Sequence, residues 1–86
     1  MPDLMADLTK VFRAVFEDDD IRLSEKTTAA DVPGWDSLMH VRLILNVESA
    51  FGIRFKTAEI AGLKNVGELA QLIGRYLAEK TRKKAA

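Results

Sequence analysis

GWDSLMHV, residues 34 to 41, takes the chain from a loop into a helix and places one hydroxyl group at the point of change. A Pro-Gly pair ends the preceding segment. Asp36 belongs to the residue types whose side chains accept hydrogen bonds from the free N–H groups at a helix start. The stretch therefore predicts a helix from about residue 36 to 51, with Ser37 in its first turn.

This helix carries apolar residues on two sides. At about 100° per residue, five of them gather on one side as an ordinary core stripe: Leu43, Ile44, Val47, Ala50 and Phe51. Leu38, Val41 and Leu45 form a second, narrower stripe, which a domain this small cannot easily bury. Three explanations are open: the preceding loop covers the second stripe, its residues are exposed without a role, or the stripe is a docking surface that begins one residue after Ser37.

The chain before this helix contains one amphipathic helix and one long connection. Apolar residues recur at helical spacing from residue 4 to 16, with Asp3 as the predicted N-cap. The acidic residues that follow oppose the helix macrodipole, so the helix should end there. The connection, residues 17 to 35, is too long to be structureless and must be anchored. We expect four apolar anchors: Ile21, Leu23, Ala29 and Val32.

Two further helices are predicted after residue 51. Gly52 is a suitable C-terminal residue for the preceding helix. Thr57 is the predicted cap of a brief third helix. Asn65 with Glu68 has the spacing of a capping box, and helical periodicity then continues to about residue 80.

The fold class predicted from these elements is all-α, a small four-helix bundle of three longer helices and one short helix. A length of 86 residues favours a single domain, with residues 81–86 as a basic, fraying tail. Cysteine is absent, which allows a reducing, cytoplasmic setting, and the 13 basic residues balance 13 acidic ones, so we expect no nucleic-acid binding. We also expect the protein to be cytoplasmic and a monomer. No apolar run is long enough to insert into a membrane.

The sequence offers little chemistry of its own. His40 is three residues after Ser37 and could reach it on a helix, but no G-x-S-x-G turn or other orienting scaffold accompanies the pair. Partial burial with one ring nitrogen satisfied is the expected role of His40. No metal-ligand spacing occurs. Because a phosphate ester is stabilised at a helix N-terminus, Ser37 suits modification better than nucleophilic attack.

GWDSL, followed by a helix that ends in ESAFGIRF, resembles the acyl carrier proteins over essentially the whole chain. In that family an Asp-Ser-Leu motif opens the second helix, and its serine carries 4′-phosphopantetheine. The resemblance implies that Ser37 receives this group from coenzyme A through a phosphopantetheinyl transferase, and that the protein is a carrier rather than an enzyme. Its remaining partners would be an acyl ligase, synthase or acyltransferase.

The resemblance also assigns the surfaces of the bundle. Transferase and partner enzymes would recognise residues at the start and along the second helix: Asp36, Leu38, Val41, Arg42, Leu45 and Glu48. The acyl chain would enter between helices, which gives six candidate lining residues: Leu43, Val47, Phe55, Ile60, Leu63 and Leu69.

The charge of the second helix departs from the family pattern. Carriers of fatty acid synthesis usually display a strongly acidic recognition helix, whereas this one contains Arg42 and only one carboxylate, Glu48, after its first residue. We therefore expect a carrier dedicated to a specialised lipid or secondary-metabolite pathway. Two alternatives stay open: a peptidyl or aminoacyl carrier, disfavoured because a Leu-Gly-Gly approach to the serine is absent, and a helical interaction module that is never pantetheinylated.

Overall fold

The structure is a computed structural model that describes residues 4–85, with side chains described for residues 4–80. The predicted cap Asp3 and the terminal Ala86 lie outside the described residues. No strand occurs within the described range, and the predicted bundle of three longer helices and one short one is confirmed. The helices are α1 (Leu4–Phe16), α2 (Ser37–Phe51), α3 (Thr57–Ala61) and α4 (Val66–Ala85), with a 3-10 turn at Ala29–Asp31.

The core lies where the three longer helices meet. Seven side chains are almost completely removed from solvent: Leu8, Phe12, Leu43, Val47, Val66, Leu69 and Ile73. Burying an aliphatic or aromatic side chain of this size stabilises a fold by roughly 1.5–3 kcal/mol, so this cluster supplies most of the apolar stabilisation of the bundle.

The core stripe predicted for α2 is confirmed except at one position. Leu43, Ile44 and Val47 are buried, and Phe51 is half-buried. Ala50 was expected among them and is exposed. Its short side chain lines an open groove between α1 and α2, so it makes no core contact of the kind that the longer side chains make.

The connection between α1 and α2 begins with a turn in the left-handed conformation. Glu17 has a φ of 52°, and the backbone N–H of Asp18 donates to the carbonyl oxygen of Arg13 at 3.0 Å, so α1 ends at Phe16 as predicted. This closes the last turn of α1 and directs the chain back across the bundle.

Three of the four predicted anchors of this connection contact the core. Ile21 and Val32 are buried and Leu23 is half-buried, but Ala29 is exposed because it begins the 3-10 turn at the surface. Thr27, which the apolar pattern could not identify, is buried as well.

The same connection caps the N-terminus of α4. The backbone N–H of Val66 donates to the carbonyl of Thr27 at 2.8 Å, and that of Gly67 donates to the carbonyl of Glu25 at 2.9 Å. A Cβ atom on Gly67 would lie 2.8 Å from the Glu25 carbonyl oxygen, so only glycine allows this approach. These two hydrogen bonds therefore join the long loop to α4.

The predicted cap of α3 is wrong by one residue. Lys56 occupies the N-cap position, because its backbone N–H is held by the Glu59 carboxylate at 2.9 Å, and Thr57 is the first helical residue. The C-terminus of α2 agrees with prediction. Gly52 has a left-handed φ of 66°, and its carbonyl accepts a hydrogen bond from the Lys80 ammonium at 3.0 Å.

At the start of α4, half of the predicted capping box is formed. The Asn65 side chain accepts from the backbone N–H of Glu68 at 2.9 Å, but the Glu68 carboxylate turns to the backbone N–H of Lys64. The helix continues to Ala85, beyond the end expected near residue 80. Lys, Arg and Ala are good helix formers, and cations favour a helix C-terminus. The fraying expected for residues 81–86 stays a prediction.

Candidate functional site

Ser37 lies at the exposed N-terminus of α2, where it is the first helical residue. Asp36 is the N-cap, as predicted, and its carboxylate accepts from the backbone N–H of Met39 at 2.9 Å. The first N–H groups of a helix have no partner within the helix, and they form the positive end of the macrodipole. A negatively charged group attached to Ser37 would be stabilised at this position.

A cleft of about 420 Å³, here called the Ser37 cleft, opens beside this serine. It lies between the start of α2, the 3-10 turn, α3 and the segment that leads into α4. Its lining consists of Ala29, Trp35, Asp36, Ser37, His40, Ile60, Ala61, Leu63, Lys64, Asn65 and Leu69.

The six candidate lining residues for an acyl chain separate into two groups in the structure. Ile60, Leu63 and Leu69 line the Ser37 cleft. Leu43 and Val47 lie in the packed core with no exposed area, and the Phe55 ring packs edge-on against Tyr76 at 5.5 Å instead of facing the cleft.

Trp35 and His40 form a wall of the Ser37 cleft, which sequence reasoning missed. The Trp35 indole N–H donates to Nδ1 of His40 at 3.1 Å, while Nε2 of His40 lies 3.3 Å from the carbonyl oxygen of Ile60. We expected one ring nitrogen of His40 to have a hydrogen-bond partner, whereas both nitrogens have one. An aromatic residue just before a helix and a histidine one turn into it was the available signal.

His40 is consequently not arranged to activate Ser37. Its Nδ1 is occupied by the indole of Trp35 and its Nε2 by the carbonyl of Ile60, so neither nitrogen is free to accept a proton from the serine hydroxyl. The described residues contain no group of histidine, cysteine or carboxylate side chains that could hold a metal ion. The part of the chain that the structure describes thus lacks the nucleophile and base arrangement of a hydrolase.

The second apolar stripe of α2 is exposed, and we call it the exposed apolar face. Leu38, Val41 and Leu45 keep 67%, 54% and 59% of their surface accessible to solvent. The long loop therefore does not cover them, which leaves two explanations: a docking surface, or incidental exposure of apolar residues.

The two charged residues predicted beside this face differ in their surroundings. Arg42 is exposed. Glu48 is half-buried, and its carboxylate accepts a hydrogen bond from the backbone N–H of Phe55 at 2.8 Å. Because this contact ties Glu48 to the segment after α2, its charge is less available to a partner than that of Arg42.

The short helix α3, which closes one side of the Ser37 cleft, is joined to α4 by polar contacts. The Tyr76 hydroxyl donates to Glu59, and Arg75 forms an ion pair with Glu59 at 3.4 Å. The hydrogen bonds from Tyr76 and from the Lys56 backbone lower the pKa of Glu59 below its ordinary value. The same carboxylate raises the pKa of the Tyr76 hydroxyl.

No helix in the described part of the chain is long and apolar enough to cross a membrane. Among curated protein sequences, none matches this chain. The family described as "phosphopantetheine attachment site" matches residues 4–73.

A solved structure also matches: the solution NMR structure of a holo acyl carrier protein from Geobacter metallireducens. The two sequences are 48% identical, the match covers 95% of this chain and 93% of that one, and the TM-score is 0.86. The family match spans both α2 and the Ser37 cleft. The chain therefore belongs to the acyl carrier protein family, as a carrier with covalently bound phosphopantetheine and not as an enzyme.

Proposed function

We propose that Ser37 carries the 4′-phosphopantetheine group, received from coenzyme A by the action of a phosphopantetheinyl transferase. The observation that carries this proposal is the position of Ser37, exposed at the start of α2 beside the N-cap Asp36. The phosphodiester would lie at the positive end of the helix, where an anion is stabilised by about 0.3–1 kcal/mol. The arm would supply a thiol on which acyl groups travel between active sites, raising their effective concentration.

The test is an intact mass measured before and after incubation with coenzyme A, Mg²⁺ and a broad-specificity transferase. Ser49, which is also exposed on α2, provides a matched control. We expect wild type and Ser49→Ala to gain one phosphopantetheine each, and Ser37→Ala to gain none. A gain on Ser37→Ala, or no gain on a folded wild type beside an active transferase control, would refute the assignment.

We propose further that partner enzymes dock on the exposed apolar face together with Asp36 and Arg42, and that these partners belong to a specialised pathway in the cytoplasm. Beside an exposed Arg42, the engaged carboxylate of Glu48 leaves little negative charge on α2 for the basic patches of fatty acid synthase enzymes. An acyl ligase, synthase or acyltransferase with an apolar contact surface fits this helix better.

Arg42→Glu tests the charge argument. We expect the variant to bind fatty acid synthase enzymes more tightly than wild type and to be loaded more slowly by its dedicated partner. Arg22→Glu makes the same charge change at an exposed loop position away from α2 and is the control. Equal binding by both variants would show that the charge of α2 does not select partners.

For the acyl chain we propose the Ser37 cleft, along Ile60, Leu63 and Leu69. Its opening next to the attachment residue allows a chain on a folded-back arm to enter without unfolding the bundle. Leu43 and Val47 are fully buried, so a chain could reach them only by separating the helices.

A further inference from the structure

One imidazole ring connects three parts of the bundle beside Ser37. His40 belongs to α2, its Nδ1 is bound by the indole N–H of Trp35, and its Nε2 faces the carbonyl of Ile60 in α3. An indole N–H can only donate and a carbonyl can only accept. The two contacts therefore form together in one state of the ring: neutral, with the proton on Nε2.

Both partners of His40 belong to structures that bear on the Ser37 cleft. The Trp35 ring packs edge-on against Phe12 of α1, with ring centroids 5.2 Å apart, and its centroid lies 6.2 Å from that of Phe16. These two rings of α1 hold the indole in place. In contrast, none of the residues of α3, all of which are described, is buried. Ile60 packs partly buried against the core, so α3 is held by this limited packing together with polar contacts. Among the described residues, the His40–Ile60 hydrogen bond is the polar contact that joins α3 to α2.

Protonation of His40 is incompatible with this arrangement. A proton on Nδ1 would face the indole N–H, and two donors cannot form a hydrogen bond. Histidine changes its charge between about pH 5 and 8, which makes such a change accessible under mild conditions.

We propose that neutral His40 is a latch that holds α3 against α2 and sets the width of the Ser37 cleft seen here, and that protonation of His40 releases α3 and widens the cleft. The inference rests on the proposed function only in assuming that the cleft receives an acyl chain. The latch is a property of the unmodified chain.

The charged groups around the ring set the balance of this latch. Asp36 and Lys64 line the same cleft and act in opposite directions, since a carboxylate favours the imidazolium and an ammonium opposes it. Glu59 of α3 is turned toward Tyr76 and Arg75 of α4.

Nitrogen-15 NMR of the unmodified protein tests the latch directly. The chain has one histidine and one tryptophan, so both ring signals are identified without ambiguity. At about pH 8 we expect one pyridine-type and one pyrrole-type ring nitrogen, with the proton on Nε2. As the pH is lowered, the histidine ring, the indole N–H and the backbone amides of α3 should shift with one common midpoint. A mixture of tautomers, or a histidine that titrates while the α3 amides stay unmoved, would overturn the proposal.

Variants separate the latch from simple packing. Trp35→Phe keeps an aromatic ring on Phe12 but removes the indole N–H, and the preference for one tautomer should be lost. His40→Leu should increase the hydrogen exchange of the α3 amides by between about 2-fold and 12-fold at high pH, the equivalent of one hydrogen bond, and should abolish the pH-dependent shift of those amides.

Glu59→Gln alters the other polar contact of α3 and should leave the tautomer and its coupling to α3 unchanged. The wild-type titration decides the question even if a variant does not fold. Because the unmodified chain is used, failure of the latch leaves loading at Ser37 unaffected, and failure of loading leaves the latch measurement valid.

Discussion

The two apolar faces of α2 are made of similar residues and have opposite surroundings. Leu43, at the centre of one face, has no exposed surface, whereas Leu45, two residues later, keeps 59% of its surface exposed. Two successive leucines on one helix thus lie in opposite environments. The first holds the bundle together, and the second is available to another molecule, because a helix in so small a domain has neighbours on only one side.

The largest effect is expected from one substitution made on each face. Leu43→Ala should lower the free energy of unfolding by about 2–5 kcal/mol, since it leaves a cavity in a packed core. Leu45→Ala should change it by no more than about 0.5 kcal/mol. Urea denaturation of both variants measures the difference, and similar losses in the two would mean that the faces are not distinct energetically.

Leu45→Ala also tests whether the exposed apolar face takes part in recognition. If the exposed apolar face binds the transferase, Leu45→Ala should lower kcat/KM for phosphopantetheine transfer by about 5-fold to 30-fold, the effect of 1–2 kcal/mol at an interface. Ser49→Ala, also exposed on α2, should transfer at the wild-type rate. Loading of Leu45→Ala at the wild-type rate would exclude the face from this interaction.

Asp36 caps α2 and, in the proposed function, also contacts partner enzymes, and its variants can separate the two roles. Asp36→Ala removes the hydrogen bond to the Met39 N–H and should destabilise the protein by about 1 kcal/mol. Asp36→Asn keeps an accepting oxygen and should be nearly as stable as wild type. If the carboxylate is read by the transferase, both variants should be loaded slowly in kinetic assays; rapid loading of Asp36→Asn would assign the residue to capping alone.

The features that the sequence predicted well are those set by neighbouring residues. The beginning of α2 at Asp36 and its end at Gly52 follow from capping chemistry that acts within one turn, and the two faces follow from the 3.6-residue period. These are also the features that place Ser37 at a helix N-terminus. The helical position of Ser37 was accessible from sequence because it is set locally.

Features that depend on distant parts of the chain could not be predicted. Ala50 has the right periodicity for the core, but its burial depends on the neighbouring surface of α1. The two partners of His40 lie on different elements, and only the folded chain brings them to one ring. Lys56, and not the predicted Thr57, is the N-cap of α3, because its backbone N–H donates a hydrogen bond to the carboxylate of Glu59.

The short helix α3 extends the comparison to a helix with no fully buried residue, and there the smallest effect is expected. The pKa of Glu59 is lowered in the folded chain, chiefly by the Tyr76 hydroxyl, so its contribution to stability is complete above the ordinary value of 4.5 and is lost as the pH falls below it. The ion pair between Glu59 and Arg75 is accessible to solvent, which keeps its effect on stability modest.

Thermal unfolding followed from pH 7 to 3 measures it. Wild type should lose a little more stability than Glu59→Gln in the acid range, and the two should run parallel above it. Parallel curves throughout would mean that the Glu59 contacts add nothing to stability. In that case α3 would be held by apolar packing, as α2 is by Leu43.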